Sequence, residues 1–349
     1  MRFQPRRIPC GICYTMGQKP VTIMLSIAYA TDENYVKITA VSMASLLAHN
    51  PGAKVTVLTK DVAPASRAFL RALCERLGGT FAEIDVSAEL ARLESCGANG
   101  YLSYATYARL FIPDLMSDAR VIYLDSDTLV VGDLAPLSTL DMGGKPLALA
   151  YDCQRVEYKD MIGLPRTAPY YNAGVMLIDR TAWQDGNVTA RTLAAVKDAP
   201  ARSLFADQDL IVRTVGRDGD VALLPPAYNF LPHYAMFRSR RDVLKVMAIP
   251  PSAWFSDEAY TVARRHPVVY HFAGHTLGRP WHRESRHPAR ALYRRFAALA
   301  GVPEVAEQTR PLTAGYRIQF LAWKTLPNAL FVQACRAMYR FFFWKTYGV

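Results

Sequence analysis

No stretch of this sequence approaches the ~20 uninterrupted apolar residues of a membrane-spanning helix. The first apolar run, Val21 to Ala30, is too short, and it lacks the small-residue cleavage pattern of a signal peptide. It is expected to be a first core strand, with Met16 or Met24 as alternative translation starts. Cysteine is sparse and scattered: Cys10, Cys13, Cys74, Cys96, Cys153 and Cys335 form no disulfide framework, which points to a reducing compartment. Cys10 and Cys13 are a lone C-x-x-C with no second pair, read as incidental rather than as a zinc site. There is no internal repeat and no low-complexity tract. Acidic residues vanish altogether after Glu307.

What is present describes a globular chain. Hydrophobic residues make up 51% and charged residues 20%, enough for a sizeable core and too apolar for disorder. The formal charge of +11 favours an anionic partner: nucleic acid, an anionic membrane or a phosphorylated substrate.

The chain is organised around Val121-Ile122-Tyr123-Leu124-Asp125-Ser126-Asp127. Val121 to Leu124 is apolar on both faces, as in a buried strand of a parallel sheet. Open α/β sheets place ligands at the carboxyl ends of such strands. Asp125 and Asp127 can both turn toward one point there, and two hard oxygen ligands suit Mg²⁺ or Mn²⁺. The competing reading is a turn in which both carboxylates only cap backbone groups.

Around this stretch, strands are expected at Thr22–Ala30, Lys54–Thr59 and Thr80–Val86, with helices at Tyr35–His49 and Pro64–Leu77 between them. That β-α-β-α-β alternation argues for a parallel sheet of nucleotide-binding type. Leu93–Ser103 reads as loop and Tyr104–Ile112 as a helix ended by Pro113. Further strands are expected at Pro146–Tyr151, Val175–Ile178, Asp220–Leu224 and Pro267–Phe272. Further helices are expected at Val188–Val196 and at Leu210–Val215, the latter started by Ala206-Asp207-Gln208-Asp209.

The C-terminal segment alternates six cations (Arg310, Arg317, Lys324, Arg336, Arg340, Lys345) with aromatics that culminate in Phe341-Phe342-Phe343-Trp344, and Pro327 splits it into two helices. This pattern fits an interfacial membrane anchor. A helix packed on the body with a solvated basic face, and an RNA-stacking tail, are the alternatives. On the anchor reading, a cut after Glu307 leaves the catalytic domain folded.

Six motifs occur in a fixed order: Ala30-Thr31-Asp32-Glu33-Asn34-Tyr35, Thr106-Tyr107-Ala108-Arg109-Leu110, Tyr123-Leu124-Asp125-Ser126-Asp127, Tyr171-Asn172-Ala173-Gly174-Val175, Asp207-Gln208-Asp209, and His271-Phe272 with Arg279-Pro280-Trp281-His282. Together they resemble glycosyltransferase family 8, and within it the bacterial lipopolysaccharide α-galactosyl- and α-glucosyltransferases. The resemblance covers about residues 22–285. It implies a GT-A fold, a Rossmann-like mixed and mainly parallel sheet, and metal-dependent transfer of galactose or glucose from a UDP-sugar with retention. The acceptor it implies is a saccharide, such as a lipopolysaccharide or other glycolipid core. By the same resemblance, Asp125, Asp127 and His271 ligate Mn²⁺ or Mg²⁺. Ala30, Asp32 and Asn34 hold uracil and ribose, and Arg109, Ser126, Gly274 and Arg279 face the donor. Asp152, Asn172, Ala173, Asp207 and Gln208 surround the reaction centre. The loop His275-Thr276-Leu277-Gly278 is longer than the family's, and Arg279 stands where lysine is usual; arginine keeps the charge and presents a planar fork.

Residues 1–20 are then an N-terminal extension expected to be disordered, 21–285 the catalytic domain, and 286–349 a helical tail for peripheral attachment to the cytoplasmic face of the inner membrane. No nucleic-acid partner is expected. A neutral Gln208 amide is a poor nucleophile, which favours same-face attack over double displacement by Asp207 or Asp152. A non-catalytic nucleotide-sugar or RNA-binding protein, and a nuclease or phosphotransferase built on the acidic pair, are the rival functions.

Overall fold

The computed structural model describes residues 24–95, 104–197, 205–274, 277–309 and 314–347. The N-terminal extension with its C-x-x-C, residues 96–103 of the expected loop, and His275-Thr276 lie outside the described residues.

Seven strands form the main sheet, in the order β3-β2-β1-β4-β7-β6-β8. They are β1 (Ser26–Asp32), β2 (Lys54–Lys60), β3 (Thr80–Asp85), β4 (Arg120–Leu124), β6 (Leu147–Tyr151), β7 (Tyr171–Asp179) and β8 (Val221–Leu223). Strands β3, β2, β1 and β4 run parallel, with β1 beside β4 at Ile27↔Ile122 and Ala28↔Tyr123. This half is the β-α-β-α-β unit expected from the apolar periodicity, with helices Val36–His49 and Pro64–Arg76 as crossovers. Strand β7 is antiparallel to both β4 and β6, which makes the sheet mixed and mainly parallel. A second, two-stranded sheet pairs β5 (Thr128–Val130) with β9 (Val269–His271), antiparallel, with Thr128 opposite His271.

The helix Val36–His49 is buried nearly all round, and its hydroxyls carry the packing. Ser42 bonds Tyr29 and Thr128, Ser45 accepts from Val130 N–H, and Thr39 donates to Ser126. Those bonds pin the Asp125–Val130 segment to the helix, because a buried hydroxyl without a partner would be costly.

Four local expectations change. Ser87–Ser95 is helical, since Val86, Leu90 and Leu93 recur at helical spacing and are buried. Tyr104–Phe111 winds as a 3₁₀-helix. Pro113 sits in the first turn of the following helix Ile112–Leu115 instead of ending one, where its missing N–H costs nothing. The expected helix Leu210–Val215 is displaced: Ala206–Ile211 is α-helical and Val212–Gly216 a π-turn. The strand expected at Val175–Ile178 begins earlier, so that Asn172-Ala173-Gly174 lies within β7, opposite an irregularity in register between Leu149 and Ala150. Such a bulge re-aims side chains at a sheet's rim.

The chain after 285 is not detached. Helix Arg290–Ala300 packs on the first helix, with the Phe296 ring 5.8 Å from that of His49. Helices Ala314–Thr325 and Asn328–Tyr347 follow, separated at Pro327 as expected. Phe331, Val332 and Cys335 are buried in the main core, and Trp323 Nε1 donates to the Met236 carbonyl at 3.0 Å. Removing everything after Glu307 therefore uncovers core, contrary to the expectation that the remainder would be unaffected. Phe341, Phe342 and Trp344 remain exposed. Among the described residues no helix is long and apolar enough to cross a membrane.

Candidate active site

Pairing of β5 with β9 brings His271 to the acidic turn between β4 and β5. Asp125 follows the last residue of β4, Asp127 precedes β5, and the Phe272 N–H donates to the Asp127 carbonyl at 2.9 Å. His271 Nε2 then lies 3.2 Å from Asp127 Oδ1 and 3.6 Å from Asp125 Oδ2. One ligand atom from each of the three residues falls within 4.8 Å of the others. Two carboxylates and an imidazole suit Mn²⁺ or Mg²⁺. The backbone makes room for this: a Cβ on Gly174 would sit 2.1 Å from His271 Cε1 and 2.7 Å from Asp125 Oδ2. Only glycine permits the carboxylate and imidazole to stand this close to β7.

Charge balance supports the same site. Burial opposes ionisation of Asp127, but His271 and Arg279 outweigh it and hold the carboxyl well below its usual range. Burial likewise disfavours the charged His271 ring, yet Asp127 and Asp125 raise its pKa overall. The site is thus organised to hold positive charge between its carboxylates. Arg279 Nη1 lies 3.0 Å from Asp127 Oδ2, with the guanidinium 5.1 Å from the Trp281 ring centre. Gly274, at φ +74°, makes the turn out of β9 in a conformation that favours glycine.

Arg109 is buried and fully engaged within the protein. It contacts Asp125 Oδ1 (2.9 Å) and donates to the carbonyls of Ala173 (2.6 Å) and Thr106 (2.8 Å). Its Nε lies 2.9 Å from Asp207 Oδ2, but that N–H is aimed at Thr106, so Oδ2 has a charge partner and no hydrogen bond. Burial pushes the Asp207 carboxyl up to about 6, with Arg109 opposing.

Asp152, Asn172 and Gln208 form one bonded cluster. Asp152 Oδ2 accepts from Asn172 Nδ2 and Gln208 Nε2, both at 3.1 Å, and Oδ1 accepts from Cys153 N–H at 2.6 Å. Gln208 Oε1 accepts from Ala173 N–H at 3.0 Å, which leaves it one lone pair. Asp209 accepts from the N–H of Phe205, a cavity-lining residue, at 3.1 Å. It also accepts from the Tyr158 and Tyr170 hydroxyls, each at 2.5 Å, and so fixes the helix that presents Gln208.

These groups line a cavity of about 520 Å³ that runs from Asp125, Asp127, His271 and Arg279 past Arg109, Asn172, Asp152, Asp207 and Gln208. Ala30, Asp32, Asn34 and Ser126 do not line it. Asp32 Oδ1 caps the N–H groups of Asn34 and Tyr35, and Ser126 donates to the Ala30 carbonyl at 3.0 Å. They stand at the carboxyl end of β1, adjacent to that of β4, where a parallel sheet exposes its backbone.

Several residues of the site carry no sequence signal. Asn229 is buried against His271 and belongs to no motif. Arg155, His233, Tyr316, Tyr339, Phe342 and Phe343 line the same cavity, so the C-terminal helices form part of its wall. Phe343 is buried, with the Arg155 guanidinium 5.8 Å from its ring centre. The four-residue spacing of Phe331, Cys335, Tyr339 and Phe343 was the available signal for one inward stripe.

The comparisons with known proteins agree with this geometry. General stress protein A of Bacillus subtilis is 25% identical over 278 residues, covering 77% of this chain and 92% of that protein. The lipopolysaccharide 1,3-galactosyltransferase of Salmonella typhimurium is 27% identical over 220 residues, covering 60% of this chain and 65% of that enzyme, a little under two thirds of its length. A crystal structure of the galactosyltransferase LgtC with donor and acceptor sugar analogs superposes with a TM-score of 0.65 at 26% identity, covering 84% of this chain and 99% of that one. The mixed sheet is therefore the GT-A fold of that enzyme. Residues 26–285, which hold Asp125, Asp127 and His271, the Asp152–Gln208 cluster and Arg279, match the description of glycosyl transferase family 8, and the chain belongs to that family.

Proposed function

We propose that the chain is a metal-dependent, retaining hexosyltransferase that moves galactose or glucose from a UDP-sugar to a saccharide acceptor on a lipopolysaccharide or similar glycolipid core. The observation that carries this reading is the convergence of Asp125, Asp127 and His271 at one end of the cavity that also holds Gln208 and Asp152.

Sugar transfer breaks the bond from the anomeric carbon to a phosphate oxygen. Asp125, Asp127 and His271 would hold a divalent ion, which would supply neutralisation of the leaving diphosphate. Arg279 adds a fixed positive charge beside Asp127, and its planar fork suits phosphate oxygens. Arg109 holds Asp125 in place and balances the buried Asp207. Asp32, Asn34 and the backbone at Ala30, at the end of β1, bind the nucleoside. Gln208, bonded on both ends of its amide, directs its remaining carbonyl lone pair at the sugar as positive charge builds there. Asp152 has both oxygens engaged and is a poor nucleophile. The acceptor hydroxyl therefore attacks from the face the diphosphate leaves, and a phosphate oxygen takes its proton.

The C-terminal helices place this chemistry at a membrane surface. Their described outer face carries Arg317, Lys324, Arg336, Arg340 and Lys345 beside exposed Phe341, Phe342 and Trp344, and no acid follows Glu307. Such a face binds an anionic bilayer peripherally.

Calorimetry of UDP binding tests the reading. UDP should bind with Mn²⁺ and lose that affinity in EDTA or in Asp127→Asn. Equal binding in EDTA would sink the metal part. Sedimentation with phosphatidylglycerol vesicles tests the surface, and unchanged binding by a Phe341→Ser/Trp344→Ser variant would remove the membrane part.

A further inference from the structure

The metal ligand His271 has a second ring nitrogen, and its partner is Asn229. Asn229 is fully buried after the 3₁₀ turn Pro226–Tyr228, outside every motif that marks the site. Its Oδ1 lies 3.0 Å from His271 Nδ1, and its Nδ2 donates to Asn172 Oδ1 at 2.8 Å. The orientation of these amides follows from backbone groups that cannot rotate. Gly174 N–H donates to Asn172 Oδ1 at 3.0 Å, so that atom is the oxygen, and Asn172 Nδ2 faces the Asp152 carboxylate. An oxygen at Asn172 Oδ1 requires a donor opposite, which makes the facing atom of Asn229 its nitrogen. The other end of the Asn229 amide, toward His271, is then an acceptor, and His271 Nδ1 must carry hydrogen.

We propose that Asn229 is a positioning residue for divalent-cation binding. By accepting from Nδ1–H it fixes the His271 tautomer whose Nε2 lone pair points between Asp125 and Asp127. By donating to Asn172 it joins that ligand to the Asp152–Gln208 cluster. One unbroken chain, His271–Asn229–Asn172–Asp152–Gln208, thus links the group that holds the metal to the group that faces the sugar. Outer partners of metal-bound histidines set tautomer and ring orientation in this way. The inference rests on the metal reading proposed above.

The test is Mn²⁺ affinity, read by electron paramagnetic resonance of free Mn²⁺ during titration of the full chain, with thermal unfolding as a control. Asn229→Leu removes the acceptor and should weaken Mn²⁺ binding by about 10–100-fold. Asn229→Asp keeps an acceptor for Nδ1–H and should stay within a fewfold of the parent. It loses the bond to Asn172, so its kcat for UDP-hexose hydrolysis should fall while Mn²⁺ binding persists. A merely structural role would not separate the two readouts. A parent-like Mn²⁺ affinity in Asn229→Leu, or equal losses in Leu and Asp variants, overturns the proposal. A parent chain that binds no Mn²⁺ overturns the metal reading itself, which is a different result. Independently of any variant, ¹⁵N-histidine NMR of the Mg²⁺-loaded chain should show Nδ1 as the protonated nitrogen of His271; an unprotonated Nδ1 also overturns the proposal.

Discussion

The two ends of the cavity are built on opposite terms. Around Asp125, Asp127, His271 and Gln208, the polar side chains are buried or half-buried and held by named partners, and a strand irregularity and a glycine shape the space. Around Phe343 and Tyr339 the wall is made by helices that bury one stripe and leave the adjacent aromatics in solvent. A site that must place charge to within tenths of an ångström needs rigid, fully bonded groups. On the proposed membrane reading, the exposed Phe341, Phe342 and Trp344 stay outside the fold to meet a bilayer.

Substitutions at the two ends should therefore fail differently. Asp127→Ala removes a ligand carboxylate and leaves His271 and Arg279 unbalanced; UDP-hexose hydrolysis should fall on the order of 10³-fold with folding largely intact. Gly174→Ala forces a Cβ against His271 and Asp125, and Mn²⁺ binding should be abolished with a thermal cost of about 1–3 kcal/mol for the displaced backbone. On the other side, Phe331→Ala should cost about 3–5 kcal/mol of stability in chemical denaturation, because that ring is core. Phe341→Ser with Trp344→Ser should change stability by less than about 0.5 kcal/mol, yet weaken vesicle binding. Stability loss in the last variant, or none in Phe331→Ala, would erase the distinction between inner and outer faces of the same helix.

A separate effect concerns pH. His287 is buried against the Phe272 and Tyr270 rings, accepts from Ala289 N–H through Nδ1, and has no hydrogen-bond partner at Nε2. Burial pushes its pKa down to about 3 from 6.5. Its folded value lies below the unfolded one, so the stability it contributes is full above about pH 6.5 and declines as pH falls toward 3, by up to about 1.4 kcal/mol per unit. Urea unfolding across that range should show a shallower decline in His287→Gln than in the parent chain.

How far the sequence revealed this arrangement follows the same division. The parallel half of the sheet was legible because its inner strands are short continuous apolar runs and its crossover helices repeat apolar residues every three to four positions. Asp125 and Asp127 were legible because they end a buried strand together. His271 was visible only through the family's motif order, since the β5–β9 pairing that delivers it is non-local. Asn229 could not be read at all: its role exists only in the contacts it makes with His271 and Asn172. For the C-terminal helices, composition suggested two helices split at Pro327, which the fold has, but not which aromatics turn inward. Phe331, Val332, Cys335 and Phe343 are the correction, and the cavity that Phe343 helps to wall was not foreseen.

The most direct measurement is UDP release without acceptor, in Mn²⁺, from UDP-galactose, UDP-glucose and UDP-N-acetylglucosamine, with GDP-mannose as the control donor. A retaining hexosyltransferase built on Asp125, Asp127 and His271 should slowly release UDP from one UDP-hexose, stop in EDTA and leave GDP-mannose intact. No release from any UDP-hexose, or release that continues undiminished in EDTA, would contradict the account.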